Sequence, residues 1–222
     1  MRDAICYIIG AGEFTEREFL ESEFVKGRII KEKFCKKKED YIIGVDGGYE
    51  HLDKLNIKAD LLVGDFDSLN YDPSHENIVR LPVEKDDTDM LFALKKGVLK
   101  GYYNFCIYGG LGGRVSHTIA NLQCLAWLAE KGAKGYLIGS DVVITAVKNG
   151  SISFEKEKKG FVSIFAFDGQ AKGVTLRNLK YPLQDAVLTM DYPIGVSNEF
   201  IGKESEIIVK DGTLLVVLET KA

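Results

Sequence analysis

The first two-thirds of the chain alternates short apolar runs with stretches whose apolar residues recur at helical spacing. The four residues Leu61–Gly64 are apolar or small, as in a buried strand. This alternation predicts a mainly parallel sheet with helices on both faces, a Rossmann-like α/β fold. Strands are expected over 4–10, 41–45, 60–64, 78–81, 104–108 and 135–138, and helices over 13–25, 49–55, 88–99 and 113–131.

The pattern changes after about residue 140, where helical spacing ends and short β-rich runs follow. Lys148-Asn149-Gly150 and Asp211-Gly212 separate two pairs of these runs, and Asn-Gly and Asp-Gly are strong hairpin signals. The sequence therefore predicts a C-terminal antiparallel β-sandwich. We expect two domains, an α/β domain over 1–140 and a β-sandwich over 141–222. The runs lie at 142–147, 151–154, 161–167, 173–177, 186–189, 205–209 and 214–219.

Composition and charge narrow the classes of function. The 222 residues are 45% hydrophobic and 28% charged, with a formal net charge of -4. This balance is typical of a soluble globular protein and argues against a nucleic-acid or membrane-surface partner, which would favour a basic face. We expect a cytoplasmic protein, because the N-terminus lacks the pattern of a signal peptide and the four cysteines are scattered without a CxxC pair.

Carboxylates follow three predicted element boundaries in the α/β part. Asp65 and Asp67 come after the strand at 60–64, Asp46 follows the strand before it, and Asp89 lies at the start of a helix. Each has an ordinary alternative, a polar turn for the strand ends and capping for the helix start. Convergence at one sheet edge is the better interpretation of three such sites, since ligands bind there in open α/β sheets. Oxygen ligands of this kind suit Mg²⁺.

A glycine-rich loop supplies the complementary chemistry. Four glycines fall within 109–113, between a strand and a helix, and Arg114 follows them. Backbone N–H groups at a helix start and an arginine bind phosphate, although tight packing is an alternative explanation of the glycines. The loop lacks the Lys-Ser/Thr of a P-loop. Gly10-Ala11-Gly12 lacks the third glycine of a dinucleotide fingerprint, so we give it little weight.

These motifs, in this order, resemble the thiamine pyrophosphokinase family. The shared features are an Asp-Gly-Gly turn, Gly-Asp-Phe-Asp-Ser, Lys-Asp-x-Thr-Asp and Gly-Gly-Arg-x-x-His followed by Ala-Asn-Leu. Each motif is short, but four of them in order at sensible spacing are specific. They correspond to Asp46–Gly48, Gly64–Ser68, Lys85–Asp89 and Gly112–His117, with Ala120–Leu122 beyond. The later segments Leu179–Leu183 and Gly195–Glu199 resemble the C-terminal sandwich of the family.

The resemblance implies transfer of a pyrophosphoryl group from ATP to the hydroxyethyl oxygen of thiamine, giving thiamine diphosphate and AMP. It also implies a Mg²⁺ cofactor and a homodimer with thiamine bound between subunits. The metal ligands implied are Asp65, Asp67 and Asp89, with Asp46 serving the metal or hydroxyl activation. The ATP side comprises Lys85, Asp86, Thr88, Gly112, Gly113, Arg114, Ser116 and His117, and the thiamine side Ser197 and Asn198.

One position departs from the family pattern, because Ser116 stands where the family has Asp. A carboxylate able to bind a cation or an amine becomes a neutral hydroxyl. Activity is then reduced, shifted to another substrate, or rescued by Asp86 or Asp87. Two further hypotheses remain open at this point. One is another Mg²⁺-dependent nucleotidyl- or glycosyltransferase, and the other is a thiamine-binding module with reduced or lost turnover.

Overall fold

The computed structural model describes residues 3–14, 23–25, 28–30, 36–67, 69, 71 and 73–220. Contacts divide the chain into two compact units, one of residues 1–124 and 132–140 and one of residues 125–131 and 141–222. No helix in the described ranges is long and apolar enough to span a membrane.

A parallel sheet forms the centre of the first unit. Its strands are β1 (Ile5–Ile9), β4 (Tyr41–Val45), β5 (Leu61–Gly64), β6 (Ile78–Arg80), β7 (Asn104–Tyr108) and β8 (Lys134–Ile138). They lie in the order β8-β7-β1-β4-β5-β6. Every residue of β1, β5 and the last four positions of β7 is buried, which explains why these strands read as unbroken apolar runs. A separate two-stranded antiparallel sheet is formed by β2 (Glu23–Val25) and β3 (Arg28–Ile30).

Three helices are described, α1 (Gly48–Lys54), α2 (Asp89–Leu99) and α3 (Val115–Glu130). Thr88 caps α2, since its hydroxyl accepts a hydrogen bond from the Leu91 N–H at 3.1 Å. The predicted α/β fold with a mainly parallel sheet is confirmed. The predicted helix over 13–25 is wrong at Glu23–Val25, which pairs as a strand, and its residues 15–22 lie outside the described part of the chain.

The strand order places a topological switch point at β1. The chain first adds β4, β5 and β6 on one side of β1 and then crosses to add β7 and β8 on the other. In open α/β sheets, the carboxyl edge of the strands at such a switch point is where ligands bind. The loops that follow β1, β4, β5 and β7 all begin there.

The second unit is antiparallel and is built on two long strands, β9 (Val142–Phe154) and β14 (Ser205–Glu219). The other edge of β14 pairs with β11 along its first half and with β10 along its second half. Side chains from these strands enclose one apolar core, as the predicted β-sandwich requires. The remaining strands are β10 (Phe161–Ala166), β11 (Gln170–Arg177), β12 (Leu183–Thr189) and β13 (Asn198–Glu199).

Two predicted hairpin turns in this unit are wrong. Residues 148–150 and 211–212 lie inside β9 and β14, where the two strands face each other across a register shift between Val209 and Thr213. Asn149 and Gly212 have φ values of 46° and 106°, and the Asn149 Oδ1 accepts the Gly212 N–H at 2.9 Å. The left-handed residues thus form a bulge that bends a continuous ladder, rather than a chain reversal.

Candidate functional site

Asp46 follows β4 in a left-handed conformation, with a φ of 47°. Its N–H donates to the Val63 carbonyl at 2.9 Å, so the residue is fixed against the end of β5. A Cβ on Gly64 would lie 1.8 Å from the Asp46 Oδ1, which shows how closely the carboxylate approaches that backbone. The Oδ1 is buried without a hydrogen-bond donor among the described residues, while the carboxyl group as a whole hydrogen-bonds with the Asp89 side chain and the Phe66 backbone. A buried acceptor of this kind favours a cation or a proton.

Lys85 lies between two of the other acids. Its Nζ is 2.6 Å from the Asp89 Oδ1 and 3.2 Å from the Asp65 Oδ2, and all three side chains are at least four-fifths shielded from solvent. Burial opposes the charge of Lys85, but the contacts with Asp89 and Asp65 raise its pKa overall. Burial likewise opposes the charge of Asp65, while the hydrogen bonds from Lys85 and the Asp67 N–H lower its pKa overall.

The acids together carry more negative charge than Lys85 neutralises. Burial, followed by the charges of Asp89 and Asp65, raises the pKa of Asp46 to about 7. Across the part of the chain that the structure describes, no three His, Cys, Asp or Glu side chains converge closely enough to hold a metal ion as they stand. The arrangement therefore offers a strongly negative field with Lys85 in its middle, rather than a preformed metal cage.

Asp67 and the four residues after Lys85 differ in their exposure to solvent and in their contacts. Asp67 and Asp86 are exposed. Asp87, in contrast, forms an ion pair with Lys95 at 2.6 Å. Thr88 serves as the cap of α2, and its neighbour Asp89 begins that helix. Because the cap fixes the start of α2, it also fixes where the Asp89 carboxylate lies.

The glycine-rich loop follows β7 and leads into α3. Gly109, Gly112 and Gly113 have φ values of 62°, 74° and 68°, so the loop needs glycine at these positions. It interlocks with the segment after β1, because the Gly12 N–H donates to the Gly109 carbonyl at 2.8 Å. A Cβ on Gly12 would lie 2.3 Å from the Leu111 carbonyl oxygen. The close contact of the two loops explains the glycines of 10–12, which sequence reasoning discounted.

One cavity of about 560 Å³ joins the acids to the glycine loop. It is entirely within the first unit, at the carboxyl edge of the parallel sheet. The predicted residues Asp46, Asp65, Asp67, Lys85, Asp86, Thr88, Asp89, Gly112, Gly113, Arg114 and His117 line it. The cavity therefore combines carboxylates, which suit a cation, with a glycine loop and an arginine, which suit a phosphate.

Three predicted site residues do not line this cavity. Ser116 is exposed on the first turn of α3. Ser197 and Asn198 belong to the second unit. Ser197 is exposed in a left-handed conformation, and its N–H donates to the Ser163 hydroxyl at 3.0 Å. Asn198 is buried, and its amide bonds both the N–H and the carbonyl of Tyr181, at 2.9 and 2.7 Å.

Several residues that line the cavity were missed by sequence reasoning. They include Gly10 and Gly12, the apolar Val83 and Met90, and Asn121 on α3. The Asn121 amide donates to the Gly110 carbonyl at 2.7 Å. In the sequence, Asn121 is marked only by its place in the Ala-Asn-Leu motif. That motif suggests no role until the contact with the Gly110 carbonyl is known.

Comparisons with known proteins agree along most of the chain. The family model for the thiamin pyrophosphokinase catalytic domain matches residues 33–137, and that for the thiamin pyrophosphokinase vitamin B1 binding domain matches residues 150–214. Thiamine pyrophosphokinase of Bacillus subtilis (strain 168) is 30% identical over 185 residues, covering 80% of this chain and 86% of that protein.

Two further comparisons extend this similarity. Thiamin pyrophosphokinase 1 of Caenorhabditis elegans is 25% identical over 196 residues, covering 81% of this chain and 78% of that protein. The crystal structure of thiamine pyrophosphokinase from Bacillus subtilis superposes with a TM-score of 0.80 at 24% identity, covering 99% of this chain and all of that one. The fold described above is therefore shared with that structure.

Proposed function

Because the chain belongs to the thiamin pyrophosphokinase family, we propose that it transfers a pyrophosphoryl group from ATP to thiamine. The hydroxyethyl oxygen of thiamine attacks the β-phosphorus, the bond from that phosphorus to the oxygen bridging it to the α-phosphorus breaks, and AMP leaves. Thiamine diphosphate is the other product. The observation that carries this proposal beyond the family is the single cavity that joins the acidic wall to the glycine loop.

We assign the phosphates to the glycine-loop side of the cavity. Arg114 supplies a guanidinium, and Gly112 and Gly113 bring the backbone close to the ligand. Lys85 and Thr88 are further phosphate contacts, with Asp86, Ser116 and His117 on the ATP side. The chemistry asked of these residues is positioning and neutralisation of charge, which dominates phosphoryl-type transfers.

We place Mg²⁺ among Asp46, Asp65, Asp67 and Asp89. Carboxylate oxygens suit this ion, and the unpartnered Asp46 Oδ1 and its raised pKa support a cation there. When bound, the ion neutralises and orients the triphosphate. Lys85 holds Asp65 and Asp89 together with its own positive charge. Asp46 is alternatively the group that accepts the thiamine hydroxyl proton, because a carboxylate with a pKa of about 7 suits a general base at neutral pH.

We assign thiamine to the second unit, through Ser197 and Asn198. The match of the vitamin B1 binding domain model to residues 150–214 supports this division. The proposed domains are 1–140 for ATP, Mg²⁺ and catalysis, and 141–222 for thiamine and dimerisation. We further propose a homodimer with thiamine between subunits, supported by exposed apolar side chains of the second unit: Tyr181, Val187, Met190, Tyr192, Ile194, Val196 and Ile201.

A cytoplasmic location completes the proposal. Cys6, Cys106 and Cys124 are free and buried, while Cys35 lies outside the described residues. Burial raises the pKa of Cys124 to about 11, so it stays an unreactive thiol. Buried free thiols are usual in the reducing cytoplasm.

The decisive experiment is incubation with Mg·ATP and thiamine, followed by mass analysis of the products. Equimolar thiamine diphosphate and AMP are expected. Formation of ADP, or of a nucleotidyl or glycosyl product, would identify a different transferase. Thiamine binding without AMP would identify a module that has lost turnover. An Asp65→Asn variant is the matched control, since it removes one of the proposed metal ligands with little change in volume and should lose most activity.

A further inference from the structure

The glycine-rich loop has an unusual pattern of carbonyl contacts. Four consecutive carbonyls, from Tyr108 to Leu111, each accept a hydrogen bond. Backbone N–H groups of Gly10, Gly12 and Glu13 donate to the carbonyls of Tyr108, Gly109 and Leu111, each at 2.8 Å. The Gly110 carbonyl is different, because its donor is a side chain, the Asn121 amide at 2.7 Å.

These contacts matter because a peptide unit is planar. The carbonyl of one residue and the N–H of the next point in opposite directions, so a held carbonyl also fixes the following N–H. A loop that binds an anion must present N–H groups and keep carbonyl oxygens away from the negative charge. Gly109, Gly110 and Gly112 line the cavity, so the orientation of their peptide units decides whether the wall attracts or repels phosphate.

The surroundings of Asn121 suit a side chain that holds the peptide group after Gly110. Asn121 is 7% exposed and lies on the cavity side of α3. A Cβ on Gly110 would lie 3.3 Å from the Asn121 Nδ2 and 2.5 Å from the Leu137 Cδ1, so this glycine fits between α3 and β8. The position needs a short side chain with a donor, and a carboxylate there would repel both the carbonyl and the ligand.

We propose that Asn121 is a positioning residue for the polyphosphate, which it serves by engaging the Gly110 carbonyl, a backbone acceptor that would otherwise oppose a bound anion. The inference rests on the proposed function, because it takes the glycine loop to be the phosphate side of the cavity. Asn121 acts through the loop and has no role in bond making. Backbone N–H groups of the segment 10–13 hold the three neighbouring carbonyls in the same way. Asn121 holds the fourth carbonyl through its side chain, so its hydrogen bond is the one that a substitution can remove.

The test compares two isosteric amide-to-acid changes on one helix. Asn121→Asp replaces the donor to Gly110, whereas Gln123→Glu adds the same charge at an exposed position two residues away. Binding of magnesium tripolyphosphate is measured by calorimetry, and folding by circular dichroism. At neutral pH, Asn121→Asp should weaken tripolyphosphate binding by about tenfold or more, since a buried carbonyl loses its partner. Gln123→Glu should bind within about twofold of the unsubstituted protein.

A pH series distinguishes loss of the hydrogen bond to Gly110 from a general disturbance of the fold. A protonated aspartic acid has a donor of nearly the same shape as the amide, so the affinity of Asn121→Asp relative to the unsubstituted protein should recover as pH is lowered. Gln123→Glu should show no such trend. If Asn121→Asp does not fold, Asn121→Ser supplies a short neutral side chain and should still bind tripolyphosphate several-fold more weakly.

The role of Asn121 and the pyrophosphokinase activity are tested by separate outcomes. A folded Asn121→Asp with unchanged tripolyphosphate affinity at neutral pH would overturn the role of Asn121, even if thiamine diphosphate is formed. Absence of tripolyphosphate binding by the unsubstituted protein would also overturn it. Loss of tripolyphosphate binding in Asn121→Asp, together with no thiamine diphosphate from the unsubstituted protein, would support Asn121 and reject the pyrophosphokinase activity.

Discussion

At the scale of single residues, Asp46 shows how backbone geometry sets the chemistry of a side chain. The left-handed turn after β4 directs its carboxylate against Gly64, where the Oδ1 is buried without a partner. Burial and the nearby charges of Asp89 and Asp65 then raise its pKa to about 7. The same carboxyl group is therefore a buried acceptor beside two other carboxylates and a group that titrates near neutrality.

This raised pKa predicts a pH dependence of stability in the metal-free protein. Folded Asp46 keeps its proton to about pH 7, whereas the unfolded chain releases it near 3.8. The folded state binds more protons between these values, so the contribution of Asp46 to the free energy of unfolding falls as pH rises through that window. Melting temperatures in EDTA should therefore fall more steeply from about pH 4 to pH 7 in the unsubstituted protein than in Asp46→Asn.

The difference between the two proteins isolates Asp46, because the other titrating groups are common to both. Excess Mg²⁺ should reduce or reverse the difference in slope, since a bound cation favours the ionised carboxylate. Parallel melting-temperature curves in EDTA would contradict the raised pKa.

Most of the candidate site follows from local sequence, and the rest depends on contacts that sequence does not display. Asp46, Asp65 and Asp89 were predicted because each follows or begins a recognisable element. Asn121 was missed because its significance lies in a hydrogen bond to Gly110, across a turn whose path is set by three left-handed glycines. The discounted Gly10–Gly12 segment was recognised only through its backbone contacts with the second loop.

At the scale of elements, the parallel strands were predictable and the long antiparallel strands were not. Buried parallel strands carry a continuous apolar signal, and β4 and β7 have the predicted bounds. In β9 and β14, the residues Asn149-Gly150 and Asp211-Gly212 carry the signal of a hairpin. Left-handed residues serve both turns and bulges, so local sequence fails to distinguish a reversal from a bend.

The bulge predicts that two glycine substitutions in the second unit lower the free energy of unfolding by unequal amounts. Gly212 has a φ of 106°, and a Cβ there would lie 2.5 Å from the Gln170 carbonyl oxygen. Gly202 has a φ of 72° with nothing within 4 Å of the same added atom. Gly202→Ala should cost about 1 kcal/mol of unfolding free energy from backbone strain alone. Gly212→Ala should cost roughly 3 kcal/mol or more, because strain and a backbone clash combine.

Urea denaturation of the two variants measures this difference directly. The slopes of the unfolding curves should agree, since both changes act on the folded state. Equal costs would mean that Gly212 lies in an ordinary flexible turn, as the hairpin prediction requires.

At the scale of the whole molecule, the residues proposed to bind phosphate and those proposed to bind thiamine lie in different units of the chain. The acids and the glycine loop belong to the first unit, and the proposed thiamine contacts Ser197 and Asn198 belong to the second. The proposed homodimer with thiamine between subunits predicts that each site combines the acids and glycine loop of one chain with Ser197 of the other. This arrangement makes a prediction that product analysis of the unsubstituted enzyme does not test.

Two inactive variants should complement each other if the site is shared. Asp65→Asn damages the phosphate half, and Ser197→Arg places a cation against the cationic thiazolium ring of thiamine. Heterodimers of the two, purified through different tags, should regain about half of the normal activity, since one of their two sites contains both intact halves. Heterodimers of a doubly substituted chain with an unsubstituted chain should be nearly inactive, because each site then carries one defect. The opposite pattern would place both halves of each site in a single chain.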